Sequence, residues 1–266
     1  MSSMTESKVH SLGDLLYAAL RGQRTISPLT DTDAELTVED AYRISLRLLE
    51  RRLQDGEKVI GKKIGVTSRA VQEMLNVRQP DFGFLTDAMQ YPDGAEVSIT
   101  KAGLIQPRAE GEIAFLLGRD LGSEGVTAEE VLDATEAVMP CFEIVDSRID
   151  NWRIRIQDTV ADNASCGIFV VGNALVDPRS IDLANAELKM FRNGKLEASG
   201  FGSAVQGHPA EAVAWLANTL GKFGIPFRKG EIILSGSLVP LVPAAAGDRF
   251  ELTIDGIGSS SISFVA

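Results

Sequence analysis

The chain has 266 residues, of which 44% are hydrophobic, and a formal net charge of −11 at pH 7. This composition can bury a large core in one large domain or two closely joined ones, which argues against a disordered chain. The negative charge repels phosphate backbones and anionic lipids, which argues against a protein that binds nucleic acid or a membrane surface.

Helical spacing dominates the N-terminal part of the chain. Apolar residues recur at this spacing from Leu12 to Leu20. A second helix is predicted to begin at Thr37, with Asp40 in its first turn, and to run to Gly56. We therefore expect the chain to open with a helical portion.

Strand-like segments dominate the rest of the chain, and the last two form a hairpin pattern around Asp255-Gly256. The predicted strands are 59–66, 110–117, 138–145, 167–171, 187–192, 231–235, 249–254 and 260–265, and the predicted helices between them are 127–137 and 209–223. We expect one compact α+β unit, with a helical portion at residues 1–60 and a β-rich portion at residues 61–266.

Three carboxylates lie in two of these strand-like runs, Glu110 and Glu112 in one and Glu143 in the next. Alternate strand residues share a face, so Glu110 and Glu112 should leave one face about 7 Å apart. Ionised carboxylates among apolar residues need a positive partner, and three oxygen ligands suit a hard divalent cation such as Mg²⁺ or Mn²⁺. The pattern is compatible with a metal site and with a solvated strand face.

Two lysines interrupt an apolar run in Gly61-Lys-Lys-Ile-Gly65. A buried ammonium group is costly without an acidic partner, so at least one lysine is expected to face an acidic cavity. The alternative is an edge strand whose lysine stems lie along the surface. In a chain of this net charge, a small anionic substrate would need such a local cation.

The cysteine content and the N-terminus bear on the compartment. Cys141 and Cys166 are too few for a secreted disulfide scaffold. The chain does not begin with a basic segment followed by an apolar stretch, and it has no apolar run of membrane-spanning length. We expect a cytoplasmic protein.

Five ordered motifs resemble the 2-oxopent-4-enoate hydratase family of the fumarylacetoacetate hydrolase-like superfamily. They are Gly61-Lys-Lys-Ile-Gly-Val-Thr-Ser68, Gln79-Pro-Asp-Phe-Gly83, Ile105-Gln-Pro-Arg-Ala-Glu-Gly-Glu-Ile-Ala-Phe115, Glu143-Ile-Val-Asp-Ser-Arg148 and Asp158-Thr-Val-Ala-Asp-Asn-Ala-Ser165. The resemblance implies a mixed β-roll or sandwich flanked by helices, a homo-oligomer, and a bound divalent metal, Mg²⁺ or Mn²⁺.

The resemblance also implies roles for individual residues. The metal ligands fall on Glu110, Glu112 and Glu143. The catalytic residues fall on Lys63 and Asp81, and the substrate-binding serine falls on Ser165. Cys166 stands where many members of the family have a second serine, which weakens any role for a hydroxyl group at that position.

The implied reaction is the addition of water to 2-hydroxypenta-2,4-dienoate (2-oxopent-4-enoate), a small anion, to give 4-hydroxy-2-oxopentanoate in the meta-cleavage catabolism of aromatic compounds. We expect the carboxylate and 2-oxygen of the substrate to chelate the metal, which acts as a Lewis acid. Protonation at C5 then makes C4 electrophilic, and water adds there. Lys63 and Asp81 are the candidates for moving protons and placing water, and the sequence does not divide these roles between them.

Two alternatives accompany this hypothesis. One is 4-oxalocrotonate decarboxylase, a relative that typically differs at Asn151-Trp152 and at Ser235-Gly-Ser-Leu-Val-Pro240. Its substrate carries a second carboxylate, whereas Lys63 is the one clear candidate cation here and Arg148 is the second candidate. The other alternative is that the chain is mainly a structural partner of that decarboxylase.

Overall fold

The computed structural model describes residues 4–122 and 124–266. Within these residues the helices are α1 (Glu6–Arg21), α2 (Leu29–Thr32), α3 (Val38–Gln54), α4 (Arg69–Met74), α5 (Ala128–Ala134), α6 (Ile156–Ala161) and α7 (Pro209–Gly221). Helix α3 begins as its sequence predicts, because the Thr37 hydroxyl accepts a hydrogen bond from the backbone N–H of Asp40 at 3.1 Å. Its buried residues Ile44 and Leu48 share a core cluster with Leu16 of α1 and Val160 of α6.

The strands form two sheets. They are β1 (Val59–Gly65), β2 (Asp81–Thr86), β3 (Gln90–Tyr91), β4 (Glu96–Ser98), β5 (Arg108–Leu117), β6 (Thr135–Val145), β7 (Cys166–Val171), β8 (Glu187–Arg192), β9 (Lys195–Phe201), β10 (Ile232–Ser237), β11 (Val242–Pro243), β12 (Arg249–Ile254) and β13 (Gly258–Val265). The larger sheet has eight strands in the order β2-β1-β10-β5-β6-β7-β3, with β11 also paired to β5. The smaller has five in the order β4-β13-β12-β8-β9.

Both sheets are mixed, which agrees with the expected α+β class. In the larger sheet β1 pairs with β10 in parallel and with β2 in antiparallel fashion. In the smaller sheet β4 and β13 are parallel, and the predicted C-terminal hairpin is formed by β12 and β13.

The two faces of β5 have different surroundings. One face carries Ile113 and Phe115, which belong to the same core cluster as Leu188 and Phe250 of the smaller sheet. Phe142 of β6 contacts Phe250 edge-on, with 6.4 Å between ring centroids. Because strand residues alternate, the glutamates of β5 point away from this core, toward the other face of the larger sheet.

Several predicted boundaries were wrong. The helix predicted at 127–137 ends at Ala134, and β6 begins at Thr135 because Thr135 already pairs with Leu117 of β5. Strands β2, β3, β4, β9 and β11 were not predicted from the sequence. The division into residues 1–60 and 61–266 stays a prediction. In the described part of the chain, no helix combines the length and apolar character that a membrane span requires.

Candidate active site

The three glutamates singled out in the sequence lie together on adjacent strands. In the antiparallel pair of β5 and β6, Glu143 is directly opposite Glu110, and Cys141 is opposite Glu112. One carboxylate oxygen from each glutamate lies within 4.8 Å of the other two. Glu112 and Glu143 have 0% relative exposure and Glu110 has 8%, so the cluster is buried and not a solvated strand face.

The hydrogen bonding of this cluster is incomplete. Glu112 Oε2 accepts a hydrogen bond from the backbone N–H of Gly236 at 2.8 Å, where β10 has an irregular register with β5. Among the described residues, Glu112 Oε1 and both carboxylate oxygens of Glu143 have no hydrogen-bond partner. Buried, unpartnered carboxylate oxygens are costly, and a hard divalent cation with oxygen ligands fits this set of donors.

Proximity and burial perturb the acids strongly. Burial, with the neighbouring charge of Glu143, raises the pKa of Glu110 to about 8. Burial and the charges of Glu143 and Glu110 raise the pKa of Glu112 well above its ordinary value. A cation that binds here therefore has to displace protons from the carboxyl groups.

Lys63 of β1 points into the same cluster. Its Nζ lies 3.3 Å from Glu143 Oε1 and donates a hydrogen bond to the backbone carbonyl of Ala164 at 3.1 Å. Burial alone would lower the pKa of Lys63. The charges of the nearby carboxylates, of which Glu143 has the largest effect, outweigh burial and raise the pKa above its ordinary value. The Lys63 side chain is therefore a buried ammonium group beside the three acids.

Asp81, the first residue of β2, completes the group. It is paired with Gly65 of β1, and a Cβ atom on Gly65 would lie 2.3 Å from Asp81 Oδ1 and 3.0 Å from Lys63 Nζ. A glycine is therefore needed at 65 for these two side chains to meet. Burial raises the pKa of Asp81 to about 6, although the charge of Lys63 opposes this shift.

Ser165 lies in a turn between α6 and β7. Its hydroxyl is 3.0 Å from Thr159 Oγ1 and 3.5 Å from Asp162 Oδ2, and the side chain is buried. The preceding residue, Ala164, is the carbonyl partner of Lys63. The turn thus contacts the lysine through Ala164, while the Ser165 hydroxyl is engaged by Thr159 and Asp162 inside the protein.

Cys166 is a buried free thiol at the start of β7. Burial, together with the charge of Glu143, raises its pKa well above the ordinary value. The thiol is therefore held in its neutral form, unlike the thiolate that a nucleophilic cysteine requires.

Two arginines bear on the charge of the site. Arg148 has 1% relative exposure; its Nε donates to Asp162 Oδ1 at 2.6 Å, and its terminal nitrogens donate to backbone carbonyls. It is therefore not available to a substrate.

Arg108, which the sequence interpretation missed, shares a face of β5 with Glu110 and stacks on the ring of Trp152 at 4.3 Å. The alternation of Arg108 with Glu110 along one strand was the sequence signal that could have indicated this residue.

A cavity of about 890 Å³ lies near this site, lined by segments of residues 67–80 and 203–215. Thr67 lines the cavity, and it also lies so close to Gly236 that a Cβ atom on the glycine would be 2.5 Å from the threonine side chain. Through these two residues the cavity wall adjoins Glu112, which accepts the hydrogen bond of Gly236.

Comparisons with known proteins cover nearly the whole chain. A family model described as fumarylacetoacetate hydrolase C-terminal matches residues 60–264. The chain is 68% identical over 256 residues to a 2-hydroxyhexa-2,4-dienoate hydratase of Comamonas testosteroni, covering 96% of this chain and 97% of the relative. It is 59% identical over 222 residues to a 2-hydroxypent-2,4-dienoate hydratase of Pseudomonas putida, covering 84% of this chain and 100% of the relative.

The structure is also similar to a solved decarboxylase. The 4-oxalocrotonate decarboxylase from Pseudomonas putida G7, complexed with magnesium and adipate, superposes with a TM-score of 0.95 at 33% sequence identity, covering 100% of both chains. The helical N-terminal portion is therefore part of the shared architecture.

Proposed function

The chain belongs to the fumarylacetoacetate hydrolase family, and we propose that it is a metal-dependent hydratase that adds water to 2-hydroxypenta-2,4-dienoate. The single observation that carries this proposal is the buried cluster of Glu110, Glu112 and Glu143 with the ammonium group of Lys63 beside it. The identities of 68% and 59% to two dienoate hydratases support the reaction type.

The metal-binding residues in this proposal are Glu110, Glu112 and Glu143, and the ion is Mg²⁺ or Mn²⁺. The oxygens of Glu112 and Glu143 that lack a hydrogen-bond partner, and the mutual proximity of the three carboxylates, support the assignment. When bound, such an ion supplies Lewis-acid stabilisation of negative charge on the substrate oxygens.

Lys63 and Asp81 are the proposed proton-transfer groups. Hydration removes a proton from the 2-hydroxyl group, delivers one to C5, and then adds a hydroxyl group at C4 and a proton at C3. These transfers require groups that hold and release protons close to the substrate. Lys63 carries protons as a buried ammonium group, and Asp81, with a pKa of about 6, lies beside it and can accept one near neutral pH.

Ser165 is the proposed substrate-binding residue on the strength of the family resemblance, and its turn contacts Lys63 through the Ala164 carbonyl. The proposal includes a homo-oligomer, a cytoplasmic location and a possible complex with 4-oxalocrotonate decarboxylase. Two buried cysteines that remain free support a reducing compartment.

The second candidate function is 4-oxalocrotonate decarboxylation, favoured by the TM-score of 0.95 to a decarboxylase. The sequence identity to that enzyme is 33%, against 68% to a hydratase, which favours hydration. Arg148 offers no free donor to a second substrate carboxylate, but Arg108 adds a cation beyond Lys63. The charges alone therefore do not decide between the two reactions.

One experiment separates these reactions. The purified chain, with and without Mg²⁺ or Mn²⁺, is given freshly prepared 2-hydroxypenta-2,4-dienoate, 2-hydroxyhexa-2,4-dienoate and, separately, 4-oxalocrotonate. We expect metal-dependent loss of the dienols, formation of the 4-hydroxy-2-oxo product and little release of CO₂. Rapid CO₂ release without consumption of either dienol would reverse the assignment, and no turnover by the chain alone would favour the structural partner.

A further inference from the structure

A short turn of left-handed backbone connects α6 to β7. Asn163, Ala164 and Ser165 have φ angles of 53°, 45° and 53°. Left-handed residues other than glycine normally occur singly, because Cβ crowds the following carbonyl group. Three in succession persist only when the surrounding structure holds them, and such strain is concentrated at functional sites.

The side chain of Asn163 clamps this turn to β2. Its Oδ1 accepts a hydrogen bond from the backbone N–H of Phe84 at 2.8 Å, and its Nδ2 donates to the Phe84 carbonyl at 2.9 Å. A Cβ atom on Gly83 would lie 2.5 Å from the Asn163 carbonyl oxygen, so the turn packs directly on the strand that begins with Asp81.

A second attachment holds the start of the turn. Arg148 Nε donates to Asp162 Oδ1 at 2.6 Å, and an Arg148 terminal nitrogen donates to the Asp162 carbonyl at 2.7 Å. Both residues are buried, so these charge-assisted bonds are shielded from water. The backbone at residues 162–165 is thus fixed from two directions.

The fixed turn aims one carbonyl group at the reacting lysine. The Ala164 oxygen accepts a hydrogen bond from Lys63 Nζ at 3.1 Å, while the same Nζ lies 3.3 Å from Glu143 Oε1. Lysine side chains are flexible. Without the carbonyl group, the ammonium group would be free to move between the carboxylates of Glu143 and Asp81. The carbonyl group holds it at one position.

We propose that Asn163 is a positioning residue, which clamps the left-handed turn to β2 so that the Ala164 carbonyl holds the ammonium group of Lys63 in place for proton transfer. This proposal rests on the proposed function and assigns no contact between Asn163 and the substrate.

Asn163→Gly tests the clamp with little backbone strain. Glycine adopts positive φ readily, so the variant loses the two hydrogen bonds to Phe84 while the turn remains accessible. We expect kcat to fall about 10- to 100-fold, the range for small misplacements of reacting groups. The affinity for Mn²⁺ should stay within about twofold, since neither Asn163 nor Phe84 belongs to the acidic cluster.

Asn193→Gly is the matched control. Asn193 also has a positive φ of 53°, and its side chain also makes two hydrogen bonds, at 3.0 Å to Asp248 Oδ1 and at 2.8 Å from the backbone N–H of Arg249. It lies in the β8–β9 turn of the smaller sheet and is not part of the acidic cluster. Its substitution should leave kcat unchanged.

A double-mutant cycle with Lys63→Met identifies the route of the effect. If Asn163 acts through Lys63, Asn163→Gly should lower kcat no further in a chain that lacks the lysine. Multiplicative losses would overturn the proposal, and so would equal falls in kcat and Mn²⁺ affinity. A crystal structure of Asn163→Gly, in which we expect Lys63 Nζ to leave the Ala164 carbonyl, tests the clamp without turnover. Failure of the unmodified chain to hydrate a dienol would contradict the proposed function alone.

Discussion

Lys62 and Lys63 are neighbours in the chain, yet their ammonium groups lie on opposite faces of β1. Lys62 Nζ is 2.6 Å from Glu231 Oε2 and lies over the ring of Phe227, whereas Lys63 Nζ is 3.3 Å from Glu143 Oε1. Strand alternation thus gives the two lysines different surroundings and makes each a control for the other.

Replacing Lys63 with methionine should lower kcat by at least about 100-fold, the lower range for the loss of general acid-base catalysis. Methionine keeps much of the apolar stem but removes the ammonium group from the acids. Steady-state kinetics with saturating Mg²⁺ measures the effect. Lys62→Met should reduce thermal stability, since it removes the ammonium group that pairs with Glu231, but it should change kcat far less. Equal, small losses from both substitutions would contradict a reacting role for Lys63.

Glu112→Gln should abolish metal-dependent turnover and leave the fold largely intact. Glutamine can still accept the hydrogen bond from the Gly236 N–H, but it removes one of the three carboxylates offered to the metal. Circular dichroism and calorimetric titration with Mn²⁺ separate folding from binding. Glu251→Gln, on the smaller sheet and half exposed, is the control. Full activity of the unmodified chain after metal removal would refute the metal site.

Metal affinity should rise with pH. The pKa values of Glu110, at about 8, and of Glu112 are raised, so these carboxyl groups hold protons in the metal-free fold that a cation must displace. The stabilisation that Glu110 gives the metal-free fold is complete below its unfolded pKa of 4.5 and is lost as the pH rises through about 8. The stabilisation from Glu112 is lost in the same direction, as the pH rises through its raised pKa. The melting temperature without metal should therefore fall from pH 6 to pH 9. The increase in melting temperature that Mn²⁺ causes should grow over the same range. An increase that is independent of pH would contradict this linkage.

Gly65→Ala should impair the site through crowding alone. The new methyl group would lie 2.3 Å from Asp81 Oδ1 and 3.0 Å from Lys63 Nζ, so one of these side chains has to move. We expect kcat to fall about tenfold or more, since small misplacements of reacting groups have effects of this size. At the exposed Gly122, the nearest atom to an added Cβ is 3.7 Å away, so Gly122→Ala should have wild-type kinetics. Wild-type kinetics from Gly65→Ala would argue that Lys63 and Asp81 need not be adjacent.

Local patterns predicted a large part of this architecture. The Thr37 cap and apolar spacing predicted α3, and strand alternation predicted that Glu110 and Glu112 share a face. These features depend on residues close in the chain, so the sequence carries them directly. The pairing that sets Glu143 opposite Glu110 is a relationship between separate strands, and its register cannot be derived from either strand alone.

The features that the sequence interpretation missed are non-local or atypical. Strand β2 begins with Asp81 and contains Gly83. Both residue types are uncommon in strands, so the sequence of β2 lacks the apolar pattern that predicts an extended segment. Strand β9 is an edge strand of the smaller sheet with many exposed positions, so its sequence has little apolar alternation. The clamp between Asn163 and Phe84 joins one family motif to the residue that directly follows another, and the spacing of neither motif indicates that they touch.

The position of β10 between β1 and β5 has a consequence for the order in which the protein matures on the ribosome. Lys62 and Lys63 pair with Ile233 and Leu234, so β1 emerges early and its partner emerges late. Such distant pairings form slowly because a long loop must close first. Until β10 has been synthesised, Glu112 lacks the Gly236 donor and β1 has no strand to join it to β5. A nascent chain that stops short of β10 therefore carries the three glutamates on the paired strands β5 and β6 but lacks the strand that joins Lys63 to them, so the complete cluster of acids and lysine is expected only in a finished chain.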